Sequence, residues 1–368
     1  MLEAVIERMP YTIVEVSGSP YERGFSYGSL MKDSLKRFLQ REFYERWKDM
    51  KEDMLLFGGK CLDEMRECLP KATEFLRGLS DGSELSMEEA VMMQCHEEFV
   101  HGVEMTDHCS VIAVAPTETA DGRTYVGQNW DWITSMNEYK LLLRQRTDDG
   151  LRILTYAFGG LWCGAGMNSA GVALTWTSAY KLKRPREKKD PGKAEVGVPT
   201  YALIAEVLEQ KDLSSAVDLI MKVKNAGWFI FVLASADGGI VKIEACPNFK
   251  VKAQPRSFIV AAHGVYQTDK MRSHFGFDPE MELPPFDAGI SRLSQLLMIY
   301  SGQITPELLM RFLASHLPSE KMPDVNAVIC EHGIEHATLD SMLFCPSSGE
   351  CWFTPGPPCQ HKPIKLKV

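Results

Sequence analysis

DHCSVIAVAPTETADGRTYVGQNWDW, residues 107–132, is the stretch on which the reading of the fold turns. Before it the apolar residues recur at helical spacing; after it they alternate with period two. Cys109 opens a short apolar run, Ser110–Pro116, that reads as a strand. Ala120-Asp121-Gly122 supplies a turn, and the returning strand carries Gln128-Asn129-Trp130-Asp131-Trp132. A thiol thus stands at the head of one strand, and two polar side chains sit among tryptophans on the next. Buried cysteines are usually inert small hydrophobes, and strand polar groups usually bond to backbone. The same arrangement also suits a nucleophile with a polar partner.

Upstream, Tyr11–Gly18 alternates as a strand, and helical spacing runs from Tyr21 to about Gly102. Leu30, Leu35, Phe38 and Leu39 gather on one side of the first helix. Ser86 with Glu89 is a capping box, and Pro70 and Gly82 mark breaks. Downstream, RTYVGQNWDW, KLLLRQRT, LRILTYAF and GVALTWTSAY read as successive strands. Helices are expected over Tyr201–Gln210, Leu213–Lys224, Ile290–Tyr300 and Pro306–His316. WFIFVLAS, GIVKIEAC and RSFIVAAH are further strands, and ATLDSMLFCPSSGECWFTPGPP is a closing hairpin. The basic stretch Lys181–Lys193 reads as a solvated loop. Runs of strands with helices before, between and after predict an α+β fold in layers, of αββα type. Neither an internal repeat nor a separating linker is visible, so one structural domain is expected.

With 45% hydrophobic and 24% charged residues over 368 positions, the chain has an ordinary globular balance and can bury a large core. A formal net charge of -9 disfavours nucleic acid as a partner. No apolar run is long enough to span a bilayer. The first residues, MLEAVIERMPYTIVEV, have no continuous apolar core and do not read as a secretory signal. A cytoplasmic location is therefore expected. The ten cysteines are scattered without a CxxC, which argues for buried thiols rather than a disulfide framework.

Three other chemistries lack the residues they need. His96 and His101 are five apart, not the four that puts two zinc ligands on one helix face, so no metal site is read here. Gly159-Gly160 and Gly164-Ala165-Gly166 do not lead into a helix, which removes a phosphate loop. There is no GxSxG elbow. A papain-like site needs a cysteine at a helix start; His263 and His316 are available bases, but nothing ties either to Cys109. A nucleophile at the head of a strand has another solution. If the His108–Cys109 bond is cut, Cys109 gains an α-amino group with a pKa of roughly 7.7–8, able to take the thiol proton. The thiol itself can make the cut, by attacking the His108 carbonyl so that the peptide C–N bond breaks and the acyl group shifts to sulfur as a thioester, which water then opens.

At Cys109 and Gly127-Gln128-Asn129-Trp130-Asp131-Trp132 the chain resembles the acyl-coenzyme A:6-aminopenicillanic acid acyltransferase-like family of N-terminal nucleophile hydrolases. Ser19-Pro20-Tyr21-Glu22-Arg23-Gly24 with Gly28 is similar to the family's N-terminal signature. Gly166-Met167-Asn168-Ser169-Ala170-Gly171-Val172 is similar to its Gly-x-Asn-x-x-Gly turn. Ala337-Thr338-Leu339 and Pro355-Gly356-Pro357 resemble its last hairpin. Relatives commonly have glycine where this chain has His108.

The resemblance implies a four-layer αββα sandwich made as a precursor and cut before Cys109. Residues 1–108 would be a helical segment packing on the 109–368 catalytic core, the two pieces staying together as one domain. It implies hydrolysis of a linear amide, or acyl transfer with a thioester such as acyl-CoA as substrate, through a Cys109 thioester. Cys109 is the implied nucleophile, Asp131 its polar partner that holds the amine, and Asn129 a support. Thr177, on the strand after the glycine turn, is a candidate oxyanion donor. Trp130, Trp132, Trp162 and Trp176 are candidate walls of an acyl pocket. No metal or redox cofactor is required. The expected partners are a small amide or thioester, the two cleaved pieces for each other, and a further copy in a homo-oligomer. Two other readings stay open: an uncleaved, weakly active or inactive homologue that binds rather than reacts, and a single-chain Cys/His thiol hydrolase.

Overall fold

The computed structural model describes residues 6–8, 10–100, 109–179, 195–262, 266–274, 287–316 and 329–368. His101, His108, His263 and the Lys181–Lys193 loop lie outside them. Two strands open the chain, β1 (Ile6–Arg8) and β2 (Thr12–Gly18). Five helices follow: α1 (Pro20–Leu39), α2 (Lys51–Cys68), α3 (Pro70–Ser83), α4 (Met87–Gln94) and α5 (His96–Val100). Then come β3 (Ser110–Val114), β4 (Tyr125–Ile133), β5 (Lys140–Thr147), β6 (Arg152–Phe158), β7 (Leu161–Asn168) and β8 (Val172–Ser178). Helices α6 (Thr200–Leu208) and α7 (Leu213–Lys222) lead to β9 (Phe229–Ser235), β10 (Ile240–Cys246), β11 (Phe249–Ala253) and β12 (Phe258–Ala262). The chain ends in α8 (Asp269–His274), α9 (Asp287–Ile299), α10 (Pro306–Leu313), β13 (His336–Cys345), β14 (Glu350–Pro355) and β15 (Ile364–Lys367).

The strands form two sheets. One has nine strands in the order β1-β2-β5-β6-β7-β8-β9-β10-β11, and the other six in the order β12-β3-β4-β13-β14-β15. Among the described strands, only β2 and β5 pair in parallel. The sheets face each other, β3 and β4 lying against β8 and β9. Helices α6 and α7 cover the outside of the larger sheet, with α1 and α3 packed beside β2 and α6; α9 and α10 cover the outside of the smaller. This is the four-layer αββα sandwich. The smaller sheet is buried on both faces, so β3 reads as an unbroken apolar run rather than an alternating one. Val111 and Ala113 belong to the core between the sheets, while Ile112 and Val114 pack under α9 and α10 with Leu297, Leu309 and Leu313.

The described residues before Cys109 are built into the sandwich. β2 is an interior strand of the nine-stranded sheet, and Arg23 of α1 is buried, donating to Gln145 at 2.6 Å and pairing with Glu209 at 2.5 Å. The family-like Ser19–Gly24 signature has a local cause. Ser19 caps α1 and Glu22 closes the capping box. Gly24 and Gly28 let the α1 backbone touch α3: a Cβ on Gly24 would stand 1.9 Å from the Phe75 carbonyl oxygen. The Ser86 capping box forms as expected.

Candidate active site

The site begins with a strand register. β3 and β4 pair antiparallel with Ser110 opposite Asn129, so Cys109, one residue earlier, stands level with Trp130. Alternation then assigns faces. Cys109 shares the face of Val111 and Ala113, which looks into the core between the sheets. Asn129 and Asp131 share the face of Tyr125, which looks toward α9 and α10. The Cys109 Sγ lies 3.9 Å from the main-chain oxygen of Asp131, and the thiol is half-buried.

On the outer face, Thr338 Oγ1 donates to Asp131 Oδ1 at 2.5 Å. The hydroxyl has one proton, and its direction is set: Thr338 Oγ1 accepts from the Glu331 N–H at 2.9 Å, so the proton is left for the carboxylate. Thr338 stands opposite Asp131 in the β13–β4 pair, next to a bulge at Leu339 that shifts the register before Asp340. Asn129 uses its amide to donate to two main-chain carbonyls, Leu313 at 2.8 Å and Ile329 at 2.6 Å. That ties the strand to the end of α10 and to the segment before β13.

The inner face is aromatic. Trp130 meets Tyr156, Phe158, Trp132 and Trp176 at ring distances of 5.4, 5.6, 6.1 and 5.4 Å. β7 and β8 are paired only at Gly166–Leu174 and Met167–Ala173 and then part. Trp176 fills the opening. Its indole N–H donates to the Gly164 carbonyl at 2.6 Å, and its main-chain N–H donates to Gln128 Oε1 of the other sheet at 3.1 Å. Tyr156 and Tyr201 lie near enough to Cys109 to feel its charge; burial, above all, holds both phenols protonated. Tyr156 donates to Asp340 at 2.6 Å, beside Tyr11 and the Lys140 ammonium, and Tyr201 donates to Glu97 at 2.8 Å.

Of the sequence candidates, the structure brings together Cys109, Asp131, Asn129, Trp130, Trp132 and Trp176. It seats Trp162 elsewhere, stacked on Phe75 of α3 at 4.8 Å. Pairing sets its face: Tyr156 and Phe158, which meet Trp130 in the core, pair with Ala165 and Leu161, so those two look inward and Trp162, next to Leu161, turns to the helical layer. Thr177 is fully buried and its hydroxyl has no hydrogen-bond partner among the described residues. His316 meets His332 at 3.3 Å. His96 is enclosed by Phe38, Phe43, Trp47 and Trp132. The Gly-x-Asn-x-x-Gly turn is a brace: Asn168 Oδ1 accepts from the Ala170 and Val172 N–H groups, its amide donates to Leu208 and Gln210, and Gly171 takes φ +85. Sequence reasoning missed Thr338 as the partner of Asp131, and Tyr156 and Tyr201 as neighbours of Cys109. The Ala-Thr-Leu segment before the last hairpin was the available signal for Thr338.

The model of the acyl-coenzyme A:6-aminopenicillanic acid acyl-transferase family matches residues 117–273, a range that holds Asn129, Asp131 and the Asn168 turn and begins after Cys109. The 40 kDa form of acyl-coenzyme A:6-aminopenicillanic-acid-acyltransferase from Emericella nidulans is 26% identical over 214 residues. That alignment covers 56% of this chain and 56% of the relative, about half the length of each. Among solved structures, a mutant conjugated bile acid hydrolase from Clostridium perfringens is 12% identical with a TM-score of 0.44, over 70% of this chain and 92% of that one. Penicillin V acylase from Agrobacterium tumefaciens is also 12% identical with a TM-score of 0.44, over 71% and 86%. The matched range falls on both sheets and includes the strand that carries Asp131, so over those residues the chain is similar to the acyl-coenzyme A:6-aminopenicillanic acid acyl-transferase family.

Proposed function

We propose that this chain is an N-terminal-cysteine acyl-transfer enzyme that matures by cutting its own His108–Cys109 bond. The observation that carries the reading is the place of Cys109: its thiol is at the head of β3, half-buried, beside Asp131 and in front of an aromatic wall. In maturation the Cys109 thiol attacks the His108 carbonyl, the peptide C–N bond breaks, and the acyl group rests on sulfur while the nitrogen becomes an amine. Water then opens the thioester and releases the His108 carboxylate. In turnover the α-amine takes the thiol proton, and the thiolate attacks the carbonyl of a linear amide or acyl thioester, an acyl-CoA among the latter. The leaving amine or thiol takes the proton. Water or an acceptor amine resolves the acyl-enzyme.

Because Asp131 presents its carboxylate on the face opposite the thiol, its task is to hold the α-ammonium in the sheet plane rather than to touch sulfur. Thr338 aims that carboxylate. Asn129 anchors the strand, and the unpartnered Thr177 hydroxyl is the side-chain candidate for the oxyanion donor. Trp130, Trp132 and Trp176 supply apolar surface for an acyl group. The chemistry uses no metal or redox cofactor. The segment before Cys109 stays docked through β2 and α1–α5, and the substrate is a small molecule. The relative named for acyl-CoA and 6-aminopenicillanic acid supports the reaction class.

Intact-mass spectrometry of the purified protein tests this. Two pieces joining at His108 and Cys109 are expected, and a single chain that stays whole through long incubation would sink the maturation step. Cys109→Ala is expected to abolish both cutting and acyl transfer; turnover retained in that variant would remove Cys109 as the nucleophile.

A further inference from the structure

Four side chains outside the site converge at one point. His316 follows α10, Cys330 and His332 precede β13, and Cys359 follows β14. Their ligand atoms all lie within 4.8 Å of one another. His332 Nε2 is 3.3 Å from His316 Nε2, 3.6 Å from Cys330 Sγ and 3.1 Å from Cys359 Sγ. A tetrahedral zinc ion, with bonds of about 2.0–2.1 Å to nitrogen and 2.3 Å to sulfur, sets ligand edges of about 3.3 Å between nitrogens and about 3.6 Å between nitrogen and sulfur. Two of the three edges agree, and the third is a few tenths of an ångström short. The His332 ring is already oriented for a ligand: the Gln360 amide lies 3.1 Å from its Nδ1, leaving Nε2 to face the other three.

From this geometry we propose that His316, Cys330, His332 and Cys359 bind one zinc ion in a closed structural site. Two thiolates and two imidazoles in tetrahedral array are the donor set zinc takes. All four positions are filled by protein, so the metal has no open face for substrate and takes no part in acyl transfer. Binding displaces the two thiol protons to solvent, and both imidazoles remain neutral.

The ion would brace the catalytic strand from behind. Leu313, whose carbonyl accepts from Asn129, is on the last turn of α10 before His316, and Ile329, the other acceptor, adjoins Cys330. Glu331, between Cys330 and His332, makes a two-way main-chain and hydroxyl pairing with Thr338, which holds Asp131. One ion thus ties the end of α10, the entry to β13 and the C-terminal tail into the scaffold of Asn129 and Asp131. The ligands are 14, 2 and 27 residues apart along the chain, a spacing with no short metal motif.

The test uses the full untagged chain, purified with reductant, loaded with one equivalent of zinc and dialysed against metal-free buffer. Elemental analysis is expected to return one zinc per chain, and only a small fraction of that in His332→Ala and in Cys359→Ser, whose side chain is exposed. Removing the zinc from the wild-type chain with a chelator is expected to lower Tm by about 3 °C or more, with recovery on adding zinc back. Cobalt put in its place is expected to show intense tetrahedral bands with thiolate charge transfer. Equal zinc in wild type and both variants, a metal-free wild-type chain after loading, an octahedral cobalt spectrum, or a Cys330–Cys359 disulfide in the reduced preparation would each overturn the proposal.

Discussion

Thr338 Oγ1 donates a hydrogen bond to Asp131 Oδ1 at 2.5 Å across the β13–β4 pair, while the thiol of Cys109 occupies the other face of the same sheet. The carboxylate is buried, so this bond is made without competition from water. A hydrogen bond to a charged group contributes about 1.5–3 kcal/mol. Thr338→Val keeps the shape and removes the donor. Maturation at Cys109, followed by intact mass over time, is expected to slow by about 10- to 100-fold, with Thr338→Ser restoring most of the rate. A Thr338→Val chain that matures at the wild-type rate would detach Asp131's orientation from the reaction.

Asn129 faces two acceptors, the Leu313 and Ile329 carbonyls, and serves them as a donor. Asn129→Asp sets a carboxylate against both. The expected loss is about 3 kcal/mol or more at neutral pH, read from urea unfolding. The loss should shrink in acid, where the protonated Asp recovers one donor. A variant as stable as wild type at pH 7 would contradict these two bonds.

Glu98 is held in the core with Oε1 accepting from the N–H and hydroxyl of Thr200, and Oε2 without a partner among the described residues. Burial, against those bonds, pushes its carboxyl up to about 8. A raised folded-state value means the native chain keeps a proton that the unfolded chain releases above the ordinary carboxylate range. Stability is then full below about 4.5 and falls as pH rises through about 8. Glu98→Gln, neutral at every pH, should flatten that part of the curve, with a change of a few kcal/mol between pH 5 and 8 lost from the profile. An unchanged pH profile would place the titration elsewhere.

Two glycines of the helical layer give opposite results on substitution by alanine. At Gly24 a Cβ meets the Phe75 carbonyl oxygen at 1.9 Å, and backbone must move. The expected cost is about 2–3 kcal/mol, seen as a lower Tm. At Gly59 of α2 the nearest atom is the flexible Glu88 Cγ at 3.9 Å, so Gly59→Ala should be neutral or stabilise by up to about 1 kcal/mol through helix propensity. The reverse order would mean that α1 and α3 are not held in backbone contact.

Much of the strand content was legible because both faces of the smaller sheet, and the interior strands of the larger, wrote their burial into neighbouring residues. β4, β5, β6, β8, β9 and β10 fall where apolar runs or alternation were read. β7 was not among them. Its Gly164 and Gly166 carry no side chain to signal a strand, yet Gly164 must be bare for the Trp130 ring to pass and Gly166 for the Leu154 carbonyl. The short strands β1, β11 and β15 lie at or near sheet edges and bury too little for a pattern. In the candidate site the thiol, Asn129 and Asp131 could be picked out by type and position. The direction of Trp162 could not, because its face is set by which β6 residues its neighbours pair with.

By itself the sequence determined what neighbours along the chain can encode: the change of period at Asp107, the cysteine at the head of a strand, the polar pair among tryptophans, and the capping and turn residues. Tertiary structure alone decided which side of the sheet each group serves, that Thr338 rather than a nearer residue holds Asp131, and that His316, Cys330, His332 and Cys359 meet. The reason is physical. Periodicity is fixed by the backbone geometry of adjacent residues, whereas register, bulges and convergent side chains depend on pairings between residues as far apart as Asp131 and Thr338, which no local pattern records.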